Sequence, residues 1–269
     1  MKRISYLLLL LFILCSNGLF AQEGETLSEF CQGFSYQAIE TGLNDLQKKS
    51  TAKVKYKWQT KLQRELINDF FEQIIELNKE VQDPENSSIY TVYTHKIKLI
   101  KKKEGEVTYY KVIELKNVKS KGEWGPTEIV LKEDSNKTFQ QLKTDFKNAY
   151  FQPLNFDELF ATDIVYGDYC GYAGMEPEFR VKMNQLVESK DTATLIAWLQ
   201  SATIEVQLYA IDGILSLKQS GVEFDKTVLD LIELIGRKEG TAYTCSGCIH
   251  WKESIHQTIE KIKKVYTKD

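Results

Sequence analysis

Two stretches near the middle of the chain alternate between apolar and polar residues, and this period of two limits the folds that the chain can adopt. In residues 89–99 one face of the pattern is mostly apolar or aromatic, whereas Lys96 and Lys98 point to the other face. Residues 107–115 repeat the alternation after the glycine-bearing segment 103–106. A period of two is typical of strands with one buried face. The pattern therefore predicts a β-hairpin, in which His95 is expected to be a cross-strand surface residue.

The segments around this hairpin predict a small mixed domain. Before the hairpin, apolar residues recur about four apart, and this spacing indicates a long helix with the stripe Trp58, Leu62, Leu66, Phe70, Ile74 and Leu77. We therefore expect an α+β domain over residues 22–164. Its further elements are a helix at 27–49 broken at Gly42, a helix from about Val54 to Val81, a third strand at Thr127–Leu131 and a helix from about Thr138 to Tyr150.

From Glu176 onward the alternation disappears and apolar residues recur at helical spacing. Short polar joints between the predicted helices favour antiparallel neighbours. The predicted fold class is thus α+β, with a small N-terminal α+β domain followed by an all-α domain over residues 176–269. Its helices are expected at about 177–189, 191–200, 203–219, 225–237 and 249–265.

One part of this helical region has a recognisable pattern. The segment LIAWLQSATIEVQLYAIDGILSLKQSG has apolar or small residues at Leu195, Ile196, Leu199, Val206, Ala210, Ile214 and Leu217. This arrangement resembles one unit of a HEAT repeat, although Ser201, Ala202 and Gln207 stand where that family often has Asp, Pro and Arg. The resemblance implies an extended surface suited to protein contacts. A plain helical bundle accounts for the same pattern.

The chain begins with the features of a secretory signal peptide. A basic start precedes the apolar run Leu7–Leu14, and Ala21 is a small residue suited to cleavage. The apolar run is shorter than the roughly 20 residues that span a bilayer. A lipoprotein signal at Cys15 is disfavoured because Leu14 is not small. We expect residues 1–21 to be removed and the product to be exported, periplasmic or extracellular, without a membrane span.

The charge pattern does not favour a nucleic-acid partner. The net charge is −3, and it becomes −5 once residues 1–21, which contain two basic and no acidic residues, are removed. The lysine runs at 101–103 and 116–121 are followed by acidic residues, so they are expected to be solvated turns. Another protein is the expected partner.

Four cysteines remain after cleavage, and an even number in an exported protein indicates disulfides. The candidates are Cys31, Cys170, Cys245 and Cys248, which allow three pairings. We favour Cys245–Cys248 together with Cys31–Cys170. The second bond would attach the N-terminal helix to the glycine-rich segment that follows the α+β domain.

The motif TCSGCIHW permits other chemistry, and each alternative has a structural requirement. Covalent haem attachment needs a histidine where Ile249 stands. A thioredoxin-like site needs a strand before the two cysteines and a helix after them, yet the preceding segment is predicted to be helical. Zinc would need Cys245, Cys248, His250 and His256, but the two histidines are six apart on one predicted helix. We expect no metal and no cofactor.

The segment 165–175 contains three glycines and three tyrosines and joins the two predicted domains. The favoured interpretation is an interdomain joint whose aromatic rings pack between the two domains, and a binding loop formed by Tyr166, Tyr169 and Tyr172 is the alternative. No catalytic motif of a metalloprotease, serine hydrolase or dinucleotide enzyme is present. The sequence therefore predicts a non-enzymatic exported binding or scaffold protein. A thiol–disulfide redox protein that uses the CSGC pair is the alternative.

Overall fold

A computed structural model describes residues 24–120, 123–171 and 174–266. In this part of the chain two helices precede five long strands. Helices follow the strands, and one short hairpin precedes the last helix. The N-terminal elements are α1 (residues 24–32), α2 (Tyr36–Lys48), β1 (Val54–Ile67), β2 (Phe70–Gln82), β3 (Tyr90–Lys102), β4 (Val107–Ser120) and β5 (Glu123–Ser135). The later elements are α3 (Thr138–Tyr150), a 3-10 turn (Phe156–Glu158), α4 (Glu178–Ser189), α5 (Thr192–Leu199), α6 (Ile204–Gln219), α7 (Lys226–Gly236), β6 (Thr241–Ser246), β7 (Ile249–Ser254) and α8 (Ile255–Tyr266).

The predicted fold class is wrong. Strands β1 to β5 form one antiparallel sheet in the order β1-β2-β3-β4-β5, so the middle of the chain is a five-stranded meander. Helices follow it, and β6 and β7 form a second, two-stranded sheet among them. The structure is therefore not a small α+β domain followed by an all-α domain.

The main error is the helix predicted from about Val54 to Val81, which is instead the hairpin of β1 and β2. Apolar residues four apart lie on one face of a strand as well as of a helix, because four is a multiple of two. Asn68 and Asp69 join the strands, and their φ angles of 47° and 63° are both left-handed. This geometry is that of a two-residue type I′ turn.

Internal contacts divide the described residues into two compact units. The first consists of residues 24–61 and 74–137, and the second consists of residues 62–73 and 138–266. The end of β1 and the beginning of β2 thus belong to the second unit, although they lie in the middle of the N-terminal half of the sequence.

In the first unit, α1 and α2 pack on one face of the sheet. The core contains Leu27, Cys31, Ile39, Leu43, Leu46, Ile75, Leu77, Ile97, Leu99, Val107, Tyr110 and Val112. The other face has ion pairs such as Lys98–Glu128 and Lys111–Glu133, each with a nitrogen–oxygen distance of 3.0 Å. An apolar face and a solvated face are usual for antiparallel sheets. His95 lies opposite Glu114 and is buried, so its expected surface position is wrong.

In the second unit, four of the five predicted C-terminal helices are confirmed as α4, α5, α6 and α7, and the predicted helix at Thr138–Tyr150 is confirmed as α3. The last predicted helix begins only at Ile255, because residues 249–254 form β7. Helix α6 is buried from Ile204 to Ile214 and contacts α4, α5 and α8. No helix in the described ranges is long and apolar enough to cross a membrane.

Candidate functional site

The glycine- and tyrosine-rich segment lies alongside the β6–β7 hairpin of the second unit and contacts it through two isolated parallel bridges. Tyr166 pairs with Thr244, and Cys170 pairs with Gly247. The backbone N–H of Tyr166 donates to the carbonyl of Tyr243 at 2.8 Å, and the N–H of Cys245 donates to the carbonyl of Tyr166 at 3.0 Å. Much of the backbone polarity of this predicted loop is therefore satisfied by the hairpin, and the segment has a defined position.

A disulfide joins this segment to β6, but it is not one of the pairs that we favoured. Cys170 bonds to Cys245, with the two Cα atoms 5.6 Å apart and a sequence separation of 75. Cys31 is an unpaired thiol in the core of the first unit, and Cys248 is an unpaired, exposed thiol at the tip of the β6–β7 hairpin. The two parallel bridges, at Tyr166 and Cys170, bring Cys170 to Cys245, and this long-range register is not visible in the cysteine spacing.

Gly167 is required where the segment approaches the disulfide. A Cβ atom at this position would lie 2.4 Å from the carbonyl oxygen of Cys245 and 2.7 Å from its Sγ. Backbone atoms cannot move away from such an overlap without disturbing the strand pairing. The glycine enrichment of the segment thus has a packing cause at this position.

The CSGC motif forms the turn of the hairpin and does not lie at the start of a helix. Ser246 pairs with Ile249, which leaves Gly247 and Cys248 as a two-residue turn. Gly247 has a φ of 56°, as expected for glycine at the first central position of a type II′ turn. Cys245 is bonded to Cys170 and is therefore not a free thiolate. Within the described residues, no group of three or more His, Cys, Asp or Glu side chains is placed to hold a metal ion.

A buried ion pair between α4 and α6 contacts the glycine- and tyrosine-rich segment. Arg180 of α4 donates through Nη1 to Asp212 of α6 at 2.7 Å and through Nε to the carbonyl of Gly167 at 3.1 Å. Its Nη2 lies 2.9 Å from the carboxylate of Asp168. The guanidinium is 5.4 Å from the ring centroid of Tyr166 and 5.1 Å from that of Tyr209. Charge pairing and cation–π contacts together fix the segment on α4 and α6.

Asp212 also organises two tyrosine hydroxyls. Tyr166 donates to its Oδ2 at 2.9 Å, and Tyr266 of α8 donates to its Oδ1 at 2.5 Å. Burial, with the nearby Asp212 carboxylate, raises the pKa of Tyr166 well above its usual value. Burial raises the pKa of Tyr209 to about 12. Burial lowers the pKa of Arg180 but Asp212 raises it, and the net shift is upward. The tyrosines are consequently neutral donors and the arginine stays charged.

A cleft of about 420 Å³ opens above this network. We name it the disulfide cleft; its walls include Tyr166, Tyr169, Thr244, Trp251, Val265 and Tyr266. Tyr169 is 58% exposed, Trp251 39% and Val265 62%. Ile249 shares the face of β7 that carries Trp251, because residues two apart on a strand point the same way, and it is 68% exposed.

The predicted binding residues have different positions in this site. Tyr166 lies at the base of the disulfide cleft and Tyr169 at its rim, whereas Tyr172 lies outside the described residues. The role of Arg180 was missed. Its signal is its rarity: the chain has only four arginines, at positions 3, 64, 180 and 237, among 35 basic residues. Arginine suits buried ion pairs better than lysine because its planar fork binds two acceptors at once.

Comparison with protein-family models, with curated proteins and with solved structures found no match to this chain.

Proposed function

We propose that this is an exported binding protein that holds an extended segment of another polypeptide at the disulfide cleft. The observation that carries the proposal is the group of exposed side chains that line a preformed cleft, Tyr169, Trp251 and Val265, with Ile249 exposed on the same face of β7 as Trp251. Aromatic side chains at the centre of an interface contribute much of the binding energy. The volume of the cleft, about 420 Å³, falls in the range typical of ligand sites.

The charges at the cleft support an apolar ligand rather than a charged one. Arg180 is paired with Asp168 and Asp212, and Glu253 is paired with Lys261. A ligand therefore does not need to neutralise a buried charge. Apolar side chains of the ligand would instead bury surface against Trp251 and its neighbours, which is favourable by about 25 cal/mol per Å².

The edge of β7 supports an extended ligand rather than a helical one. Among the described residues, no strand or bridge pairs with the outer edge of β7. Such an edge presents unpaired N–H and C=O groups to which a peptide can add as a strand. Alternate side chains of the added strand would then face the cleft, next to Ile249 and Trp251.

Export is part of the same proposal. The Cys170–Cys245 disulfide supports an oxidising compartment, which agrees with the signal-peptide pattern of residues 1–21. The HEAT-like pattern on α5 and α6 is consistent with a protein that binds other proteins, and it remains a prediction.

Selection from a library of random peptides displayed on phage, followed by fluorescence polarisation with the recovered peptides, tests the function. Trp251→Ala should weaken binding about thirtyfold, the size expected for a central interface residue. Val181→Ala on α4 is the matched control, since Val181 is 38% exposed, close to the 39% of Trp251, and is not among the residues that line the cleft. Proline at alternate peptide positions should weaken binding further, because proline cannot donate to β7.

Failure to select any peptide, or equal losses for Trp251→Ala and Val181→Ala, would contradict the proposal. Thiol–disulfide redox chemistry with Cys245 and Cys248 remains the second candidate function. It is retained because an exposed thiol, Cys248, lies beside an existing disulfide.

A further inference from the structure

Three of the cysteines converge at one end of the β6–β7 hairpin. Cys170 and Cys245 form the disulfide, and Cys248 follows Gly247, the residue with which Cys170 pairs. The Sγ of Cys248 lies 3.5 Å from the carbonyl oxygen of Gly171, the residue after Cys170. An exposed thiol is thus next to the segment that carries one sulfur of the disulfide.

The backbone pairing keeps this arrangement in place. Gly171 donates to the carbonyl of Gly247 at 2.8 Å, and Gly247 donates to the carbonyl of Tyr169 at 2.8 Å. These two hydrogen bonds hold the residues on both sides of Cys170 against the hairpin turn. Cys248, the second residue of that turn, is therefore held next to the backbone that carries Cys170.

We propose that Cys248 exchanges with the Cys170–Cys245 disulfide and forms Cys170–Cys248. The thiolate of Cys248 attacks the Sγ of Cys170, a Cys170–Cys248 bond forms, and the Cys170–Cys245 bond breaks. Cys245 leaves as a thiolate and takes up the proton that Cys248 released. One disulfide and one thiol are present before and after the step, so no external oxidant or reductant is needed.

The exchange has a defined effect on the disulfide cleft. Cys245 lines the cleft, whereas Cys170 and Cys248 are not among the residues that line it. The step therefore moves the covalent link from the base of the cleft to the tip of the hairpin and leaves a free thiol at the base. This inference concerns the sulfur chemistry alone and is independent of whether a peptide binds.

Peptide mapping of the full mature chain, purified without reductant, tests the exchange. The protein is incubated at alkaline pH, which favours the thiolate, then quenched in acid, unfolded and alkylated with N-ethylmaleimide. Both links, Cys170–Cys245 and Cys170–Cys248, should occur in the same sample, with the maleimide on Cys248 in the first form and on Cys245 in the second. Cys248→Ser should give the first link only.

Two further samples keep the test decisive. Cys245→Ser should be recovered with a Cys170–Cys248 bond, because the same two sulfurs can still meet. A mixture of isotopically light and heavy protein should give no link between light and heavy chains, which separates internal exchange from scrambling. A Cys170–Cys245 bond as the sole link at every time point would overturn the proposal. So would Cys245–Cys248 in place of Cys170–Cys248.

Discussion

Cys31 and Cys248 are the two unpaired thiols in the part of the chain that the structure describes, and their surroundings predict opposite reactivities. Burial in the core of the first unit raises the pKa of Cys31 to about 12. At about pH 8, roughly one Cys31 side chain in ten thousand is then a thiolate, the form that reacts. We expect a maleimide to label Cys248 in the native protein and Cys31 only after unfolding.

Time-resolved alkylation with peptide-level mass spectrometry checks this prediction, and Cys31→Ser provides the control. Labelling of Cys31 at the rate of Cys248 in the folded protein would show that the core of the first unit opens to solvent, contrary to its complete burial.

The residue types of the candidate site are visible in the sequence, but their partners are not. The glycines and tyrosines of the segment 165–175 marked it as unusual, and two of its three tyrosines do lie at the disulfide cleft. The pairing of Arg180 with Asp212 depends on how α4 and α6 pack, and the Cys170–Cys245 bond depends on the register beside β6. Both are long-range contacts, and residue spacing does not encode them.

At the scale of elements, sequence periodicity succeeded where it was unambiguous. Helix α3 has Phe139, Leu142, Phe146 and Tyr150 buried, as its three- and four-residue spacing predicted. The prediction for the β1–β2 hairpin was wrong because its apolar residues are four apart, a spacing that suits both a helix and a strand. Asn68 and Asp69 were the missed signal, since Asn and Asp tolerate left-handed backbone and mark two-residue hairpin turns.

The turn of this hairpin gives a direct test. Asn68→Val should destabilise the protein by about 1–2 kcal/mol, because a β-branched residue is strained at a positive φ. Asn68→Gly is the matched variant and should change the free energy of unfolding little, since glycine adopts a φ of 47° without strain. Urea unfolding followed by circular dichroism measures both. Equal losses would show that the Asn68 side chain, not its backbone conformation, matters at this position.

We expect the stability of the protein to depend on pH through Asp191, the N-cap of helix α5. Asp191 accepts from the backbone N–H of Thr194 at 3.0 Å and from its hydroxyl at 2.7 Å, and these hydrogen bonds lower the pKa of Asp191. A carboxylate whose pKa is lower in the folded state stabilises the protein above its unfolded-state pKa and loses that effect as the pH falls through its folded-state pKa.

Asp191→Ala should therefore lower the melting temperature at neutral pH, and its difference from the wild type should shrink as the solution becomes strongly acidic. Asp191→Asn keeps an oxygen acceptor and should lose less at neutral pH. Thermal unfolding across a pH series measures these differences. A constant difference between Asp191→Ala and wild type at every pH would indicate that the carboxylate charge has no part in the cap.

At the scale of the whole molecule, the division of the chain into two units could not be derived from local patterns. Residues 62–73 belong to the second unit, although the parts of β1 and β2 on either side of them belong to the first unit. Arg64 links these residues to the rest of the second unit, because its buried guanidinium binds Glu205 at 2.6 Å as well as Glu72 at 2.5 Å. Glu205 is 141 residues away in sequence, beyond the reach of any periodicity.

The carboxylates of the buried group Arg64, Glu72 and Glu205 also accept hydrogen bonds from the backbone. Glu72 also accepts from the backbone N–H of Phe160 at 2.5 Å, and Glu205 accepts from that of Tyr243 at 2.8 Å. Burial lowers the pKa of Arg64, but the two carboxylates raise it, and the net shift is upward. The guanidinium is therefore charged, and it holds two carboxylates that are themselves fully buried.

Arg64→Met should accordingly remove about 3–5 kcal/mol of stability, because it leaves Glu72 and Glu205 without their buried cation. Lys57→Met is the control: Lys57 pairs with Glu80 at 2.7 Å, but its side chain is 62% exposed, so the loss should be under about 1 kcal/mol. Replacing all three buried charges with apolar residues should not restore stability, because the N–H groups of Phe160 and Tyr243 would lose their acceptors. Urea unfolding measures each variant. Similar losses for Arg64→Met and Lys57→Met would mean that water reaches the Arg64 group and screens it as it does a surface pair.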